Sequence, residues 1–102
     1  MELSVDRLVT IIAFMYGKNA EVVVDFSNDE CYLFFDRFPQ RDLPLYYEEI
    51  TCLEYNGIIE FDSGCDEEGY KTSVYRLTED SQHKIREIIN DKRKLLLKLE
   101  DH

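Results

Sequence analysis

The spacing of apolar residues changes several times along the chain, and the order of these changes limits the folds that the chain can adopt. The first segment repeats apolar residues at intervals of three and four, which is the period of one helix face. Ser4 can cap this helix and Gly17 can end it, so the spacing predicts a helix over residues 4–16. Residues 21–26 are short in extent and rich in β-branched valine, which predicts a strand.

The later segments also switch between helix-like and strand-like spacing of apolar residues. Ser27 and Glu30 have the spacing of a helix capping box, and apolar residues at helical spacing follow them. Pro39 breaks this pattern, and Pro44 stands where a first helical turn accepts proline. The sequence therefore predicts a helix over residues 28–38, a helix from 43 or 44 to 55, strands over 58–62 and 70–77, and a last helix from 78 to about 100.

A single domain is expected, because a chain of 102 residues buries about two-thirds of its unfolded surface around one core. The predicted order is helix, strand, helix, helix, β-hairpin and a longer C-terminal helix. This is the order of a winged helix-turn-helix, an α+β fold in which the hairpin forms the wing. We therefore expect a winged-helix domain over residues 1–78 and a C-terminal helix over residues 79–102 that packs on it.

Two short segments resemble sequences of MarR-like and PadR-like regulators. Residues 53–60, Leu-Glu-Tyr-Asn-Gly-Ile-Ile-Glu, resemble the L-x-x-x-G-L-I pattern with which the third helix of these proteins ends. Residues 75–80, Tyr-Arg-Leu-Thr-Glu-Asp, resemble the Y-x-L-T-x-x-G exit from their wing, with Ser81 in place of the glycine. The resemblance implies a dimeric DNA-binding regulator whose third helix enters the major groove.

The charge distribution disagrees with that function. The chain has 22 acidic and 12 basic residues, and its whole excess of negative charge lies in residues 1–78. Between Arg41 and Lys71 there are nine acidic residues and no lysine or arginine. Because DNA binding requires contacts to phosphates, direct DNA binding through the third predicted helix and the wing is disfavoured. A protein partner with a basic surface fits this charge better. The alternative is that these acidic residues form a solvated face that keeps the chain soluble, which would give the same charge pattern in the sequence.

Exposed tyrosines among these acidic residues point to a protein interface, since tyrosine is enriched at binding hot spots. The alternative is that the tyrosines pack under the wing. The residues that we predict to bind a partner are Tyr47, Glu48, Glu49, Thr51, Glu54, Tyr55, Asp62, Asp66, Glu67 and Glu68.

The last predicted helix carries more apolar side chains than one packing surface covers. A second copy of the chain would cover the remainder, which predicts a homodimer through this helix, whereas packing back against the first helix is the alternative. Its basic residues, Lys92, Arg93, Lys94 and Lys98, have Asp91 and Glu100 beside them, as on a solvated helix face. The predicted dimerisation residues are Ile85, Ile88, Ile89, Leu95, Leu96, Leu97 and Leu99.

No motif points to catalysis, a metal ion or a cofactor. The three cysteines form no C-x-x-C pair, and we expect neither His83 nor His102 to lie beside a cysteine, serine or paired carboxylate in a cleft. An odd number of cysteines and the lack of a secretion signal at the N-terminus favour a reducing, cytoplasmic setting. No apolar run approaches the roughly 20 residues of a membrane span.

Two functions remain open at this point. The first is a non-enzymatic winged-helix module that binds another protein, including an acidic inhibitor or regulator that imitates DNA. The second is a dimeric DNA-binding transcriptional regulator that contacts phosphates through the basic residues of the last helix and through Arg7, Lys18, Arg37 and Arg41.

Overall fold

The computed structural model describes residues 3–67 and 69–90. Helices and strands follow one another as α1 (Val5–Gly17), β1 (Glu21–Asp25), β2 (Glu30–Phe35), β3 (Phe38–Leu45), α2 (Tyr47–Tyr55), β4 (Ile59–Glu67), β5 (Tyr70–Leu77) and α3 (Glu79–Asn90). The strands form one antiparallel sheet in the order β3-β2-β1-β5-β4.

This fold is α+β, but the prediction of a winged helix-turn-helix is wrong. A winged helix has three strands in its sheet, whereas the described part of this chain forms a five-stranded sheet. The two additional strands, β2 and β3, occupy the segment where the second predicted helix was expected. Among the described residues, no helix-turn-helix pair precedes the β4–β5 hairpin.

α1 confirms the first predicted helix to within one residue at each end. The Ser4 side chain accepts a hydrogen bond from the Arg7 amide (3.4 Å) and caps the first turn. Four apolar side chains of the helix enter the core, namely Leu8, Ile11, Ile12 and Met15.

The turn from β1 to β2 uses the residues that were interpreted as a helix cap. The Asp25 carboxylate accepts hydrogen bonds from the Asn28 side chain (2.8 Å) and from the amides of Ser27 (3.0 Å) and Asn28 (3.2 Å). These bonds, the one from the Asn28 side chain above all, hold the pKa of Asp25 below its usual value. Serine and asparagine form such turns as well as helix caps, so the capping-box spacing did not decide between them.

The predicted helix over residues 28–38 is replaced by the β2–β3 hairpin. Asp36 and Arg37 have φ angles of 54° and 67°, which are typical of a two-residue type I′ turn, and Phe35 pairs with Phe38 across it. Aromatic residues have a high strand propensity, and pairing with β1 buries Leu33 on one face of the sheet. The helical spacing of the apolar residues in this segment was therefore incidental.

α2 is shorter than the third predicted helix, because residues 43–45 belong to β3. Leu45 pairs with Cys31 of β2, which draws this part of the chain into the sheet. α2 then begins at Tyr47, where the Glu49 carboxylate accepts a hydrogen bond from the Tyr46 amide (2.9 Å). The helix ends before Gly57, whose φ angle of 71° suits glycine.

The β4–β5 hairpin confirms the predicted antiparallel pair and extends it. Pairing runs from Ile59 opposite Leu77 to Glu67 opposite Tyr70, which includes residues that were expected to form a polar loop. The register shifts between Phe61 and Ser63, so one extra residue of β4 forms a bulge there.

The three helices cover one face of the sheet. Val22 and Val24 of β1 belong to the same buried cluster as the core residues of α1, α2 and α3. Val23 points to the opposite face, where it pairs with Tyr32 and Val74 and is only 8% exposed. The run of three valines is therefore buried on both faces of the sheet.

α3 begins directly after Thr78, whose hydroxyl accepts a hydrogen bond from the Ser81 amide (3.2 Å). Ile85 and Ile88 are buried in the core shared with α1, and Ile89 packs against that core. These side chains stabilise the chain's own fold, which corresponds to the alternative of packing back against the first helix, so Ile85 and Ile88 are not available for dimerisation. The other predicted dimerisation residues, Leu95, Leu96, Leu97 and Leu99, lie outside the described residues.

Among the described residues, no helix has both the length and the apolar character that crossing a membrane requires.

Candidate interaction surface

The exposed face of α2 forms part of an apolar groove of about 440 Å³. Residues three or four positions apart share one face of a helix, which explains why these side chains lie together. Two of them, Tyr47 and Tyr55, are 54% and 68% exposed. We call this feature the α2 groove, and it is lined by Leu3, Tyr47, Glu48, Thr51, Cys52 and Tyr55.

Aromatic rings continue from the α2 groove onto the sheet. Phe26 meets Tyr47 edge to face, with ring centroids 6.4 Å apart, and Phe61 meets Tyr75 in the same way at 6.0 Å. Burial raises the pKa of Tyr75, and the negative charge of Glu54 raises it further. Phe26 and Phe61 are both substantially exposed, and they extend the aromatic surface beyond α2.

The charges around this surface are mostly negative. Glu48 lines the α2 groove, and Glu54 is exposed six residues further along α2. One basic group lies at the edge, since the Lys71 ammonium is 5.6 Å from the centre of the Phe26 ring. The lining of the groove itself combines apolar and acidic side chains and contains no basic one.

Glu49, a predicted partner contact, is instead buried. Its two carboxylate oxygens accept hydrogen bonds from Nε and Nη2 of Arg7 at 2.9 and 3.1 Å, and Nη2 also donates to the Pro44 carbonyl at 2.8 Å. The Arg7 guanidinium lies 5.1 Å from the centre of the Tyr46 ring. The hydrogen bond with Glu49 raises the pKa of Arg7. Glu49 therefore joins α1 to the start of α2 and has no oxygen facing solvent.

The predicted acidic residues of the hairpin do not join the α2 groove. Asp62 lies 3.9 Å from Nη1 of Arg76, whose Nε also bonds Glu60 at 3.3 Å. Asp66 pairs with Lys71 in the register of the sheet. The Glu67 side chain and Glu68 lie outside what the structure describes. Of the predicted partner-binding set, the structure brings together Tyr47, Glu48, Thr51 and Tyr55, and Glu54 is exposed on the same helix.

Sequence reasoning missed four residues of this surface, namely Leu3, Phe26, Cys52 and Phe61. Phe26 and Phe61 stood in predicted strands, and only the register of the sheet places them beside the tyrosines. Cys52 could have been found, because it lies four residues after Glu48 on the same helix face.

Two of the four basic residues that the alternative function assigned to DNA phosphates are engaged within the chain. Arg7 binds Glu49, and Arg41 donates to Glu30 at 3.0 Å while lying 5.1 Å from the centre of the Tyr32 ring. Lys18 and Arg37 are exposed.

The thiols of α2 and β2 are held in their protonated form. Burial raises the pKa of Cys31 to about 11, assisted by the charges of Asp29, Glu48 and Glu30. Burial also raises the pKa of Cys52. Because the thiolate is the nucleophile, both residues are poor nucleophiles at neutral pH, and Cys52 serves as the apolar floor of the α2 groove.

A second, polar pocket of about 340 Å³ lies where the end of α1 meets β1, β4 and β5. Its charged side chains are Glu21, Asp62 and Arg76, of which Arg76 is already bonded to acidic neighbours. Nowhere in residues 3–67 and 69–90 do three histidine, cysteine or acidic side chains converge to hold a metal ion.

No family model, curated protein or solved structure matches this chain. The resemblance to MarR-like and PadR-like regulators therefore stays a prediction, and the winged-helix fold that it implied is not the fold observed.

Proposed function

We propose that this chain is a non-enzymatic interaction module that binds a basic protein through the α2 groove and the aromatic rings beside it. The observation that carries this proposal is the groove itself, in which Tyr47 and Tyr55 are exposed next to Glu48 without a basic side chain. Clusters of exposed aromatic side chains beside polar groups are typical of protein interfaces.

The chemistry of the groove suits protein better than nucleic acid. Phosphate contacts need lysine, arginine or amide donors, whereas acidic side chains repel phosphate. The acidic residues around the groove would instead attract lysine and arginine, increase the association rate and orient the partner. The tyrosine rings would supply most of the affinity by entering apolar pockets of the partner.

The partner class follows from this charge. Proteins that bind nucleic acids carry extended basic surfaces, so an acidic inhibitor or regulator of such a protein is a specific form of the proposal. In that form, duplex DNA and this chain compete for the same basic surface of the partner.

The proposal is tested by capturing proteins from a lysate of the source cells with the tagged chain, before and after nuclease treatment. We expect a basic protein to be retained under both conditions. The double variant Tyr47→Ala/Tyr55→Ala should weaken binding of the purified partner by about 30-fold or more, as expected for a hot spot. Adding duplex DNA should displace the chain if the partner uses its nucleic-acid surface.

The matched control is Tyr16→Ala, which removes a tyrosine of similar exposure from α1, outside the α2 groove. It should bind the partner as the wild type does. Equal binding by the wild type and the α2 double variant would refute the proposal. So would capture of nucleic acid that nuclease removes, since that result would favour the DNA-binding alternative.

A further inference from the structure

β4 forms one edge of the sheet, and among the described residues only β5 pairs with it. The Thr78 amide donates to the Ile58 carbonyl (3.0 Å), so the neighbouring pair of Ile59 and Leu77 is not hydrogen-bonded within the hairpin. Hydrogen-bonded and non-hydrogen-bonded residue pairs alternate along an antiparallel hairpin, and this alternation continues past the bulge. The pairs that contain Phe61, Gly64 and Asp66 are therefore not hydrogen-bonded, and the N–H and C=O groups of these residues point away from β5. The outer edge of β4 therefore offers N–H and C=O groups to an added strand.

The opposite edge of the sheet does not offer the same groups. Pro39 of β3 has no N–H, and its pairing with Phe34 next to the β2–β3 turn places its nitrogen on the outer side. Further along, the register of β3 shifts between its partners Cys31 and Leu33, which interrupts the edge. Proline and an irregular register make this edge a poor template for an added strand, whatever the charge of that strand.

The side chains of β4 make its edge selective. Phe61 is 56% exposed on the helix-covered face and packs across Gly64, where a Cβ atom would lie 3.3 Å from Cζ of the phenylalanine ring. Glu60 lies on the opposite face beside Arg76. An added strand would thus meet an aromatic ring on one face of the sheet and an acidic side chain on the other.

The charge of the segment decides which strand fits. Residues 59–69 contain five acidic residues and no basic one. Antiparallel pairing of β4 with β4 of a second copy would bring acidic side chains opposite each other, which is destabilising. A strand with lysine or arginine at alternate positions would instead place basic side chains on the face of Glu60, whose side chain is 46% exposed although it bonds Arg76.

We propose that the outer edge of β4 binds an extended segment of another protein as an additional strand, with apolar side chains towards Phe61 and basic side chains towards Glu60. This mode, strand addition to an open sheet edge, gives affinity through the backbone and specificity through alternate side chains. The site shares Phe61 with the aromatic surface beside the α2 groove but includes none of the residues that line the groove itself, so each proposal can be correct without the other.

The probe is a short synthetic peptide of alternating lysine and valine, titrated into the isotope-labelled chain and followed by NMR. We expect the amide signals of Phe61, Gly64 and Asp66 to shift and to become protected from hydrogen exchange. A peptide of alternating glutamate and valine should not bind. No binding of the lysine peptide up to about 1 mM, or shifts confined to the α2 groove, would overturn the proposal.

Two variants at one position separate backbone pairing from charge. Asp66→Pro removes the outward N–H, whereas Asp66→Asn removes the charge and keeps the N–H. We expect the proline variant to weaken peptide binding about tenfold and the asparagine variant by a much smaller factor. Tyr47→Ala/Tyr55→Ala is the control and should leave peptide binding unchanged. If Asp66→Pro bound the peptide as tightly as the wild type does, the proposed backbone pairing would be contradicted. If self-association of the chain protected the same amides, the occupant would be a second copy and not a segment of another protein.

Discussion

Glu49 accepts hydrogen bonds from the Arg7 side chain and from the Tyr46 amide while only 1% of its surface is exposed. Its neighbour Glu48 is exposed and lines the α2 groove. Two adjacent residues of the same type therefore have different roles, since consecutive positions on a helix point about 100° apart. The charge that faces a partner is accordingly smaller than the acidic count of the segment.

Replacing Glu49 with alanine should lower the free energy of unfolding by about 2–3 kcal/mol, because it removes charged hydrogen bonds and leaves Arg7 without its buried partner. The Arg7 side chain is 36% exposed, so water can compensate part of the loss. Urea denaturation followed by circular dichroism measures the change. Glu48→Ala is the matched control and should change the free energy by no more than about 0.5 kcal/mol. Equal effects of the two substitutions would contradict the role given to Glu49.

At the scale of single elements, the β2–β3 hairpin depends on a turn whose second residue is unfavourable. Arg37 has a φ angle of 67°, in a region where residues with a Cβ atom are strained. Type I′ turns prefer glycine at this position. The turn thus forms because the paired strands stabilise it, and its own sequence contributes little.

Arg37→Gly should raise the free energy of unfolding by about 0.5–1 kcal/mol, since glycine relieves the strain at positive φ. Thermal or urea denaturation measures the shift. Lys18→Gly provides the comparison, because Lys18 has a φ angle of −106° at the end of α1 and has no such strain to lose. A stabilisation of the same size by both glycines would indicate an effect other than turn strain.

The elements differ in how well the sequence predicts them. α1 and the β4–β5 hairpin are encoded locally, by a cap with apolar periodicity and by two β-rich runs, and their prediction was close. Residues 27–38 carry signals for both a helix and a hairpin, and pairing with β1 selects the hairpin. The shared face of Tyr47, Thr51 and Tyr55 was predictable because it follows from helical spacing within one segment. The contacts of Phe26 and Phe61 were not, because they depend on how distant strands pair in the sheet.

At the scale of the whole molecule, the excess negative charge opposes the compact state. The formal net charge is −10, and like charges on a small surface repel one another. Raising the ionic strength from about 0.01 M to about 1 M shortens the Debye length from roughly 30 Å to roughly 3 Å and screens this repulsion.

The chain should therefore become more stable in urea denaturation as salt is added. Glu54→Lys changes an exposed position in the last turn of α2, where lysine suits the helix dipole, and reduces the net negative charge, so this variant should show a smaller increase with salt. A fall in stability with salt would mean that attractive ion pairs outweigh the general repulsion.

β1 lies in the centre of the sheet, with β2 on one side and β5 on the other. Its pairing with β2 joins chain neighbours, as does the pairing of β4 with β5. The pairing of Val22 with Tyr75 instead joins the early and late parts of the chain and closes a long loop, which costs conformational entropy before any contact repays it. Of the strand pairs, the one between β1 and β5 joins the residues that are furthest apart in the chain, and the rate at which the chain folds depends on how often these two parts meet there.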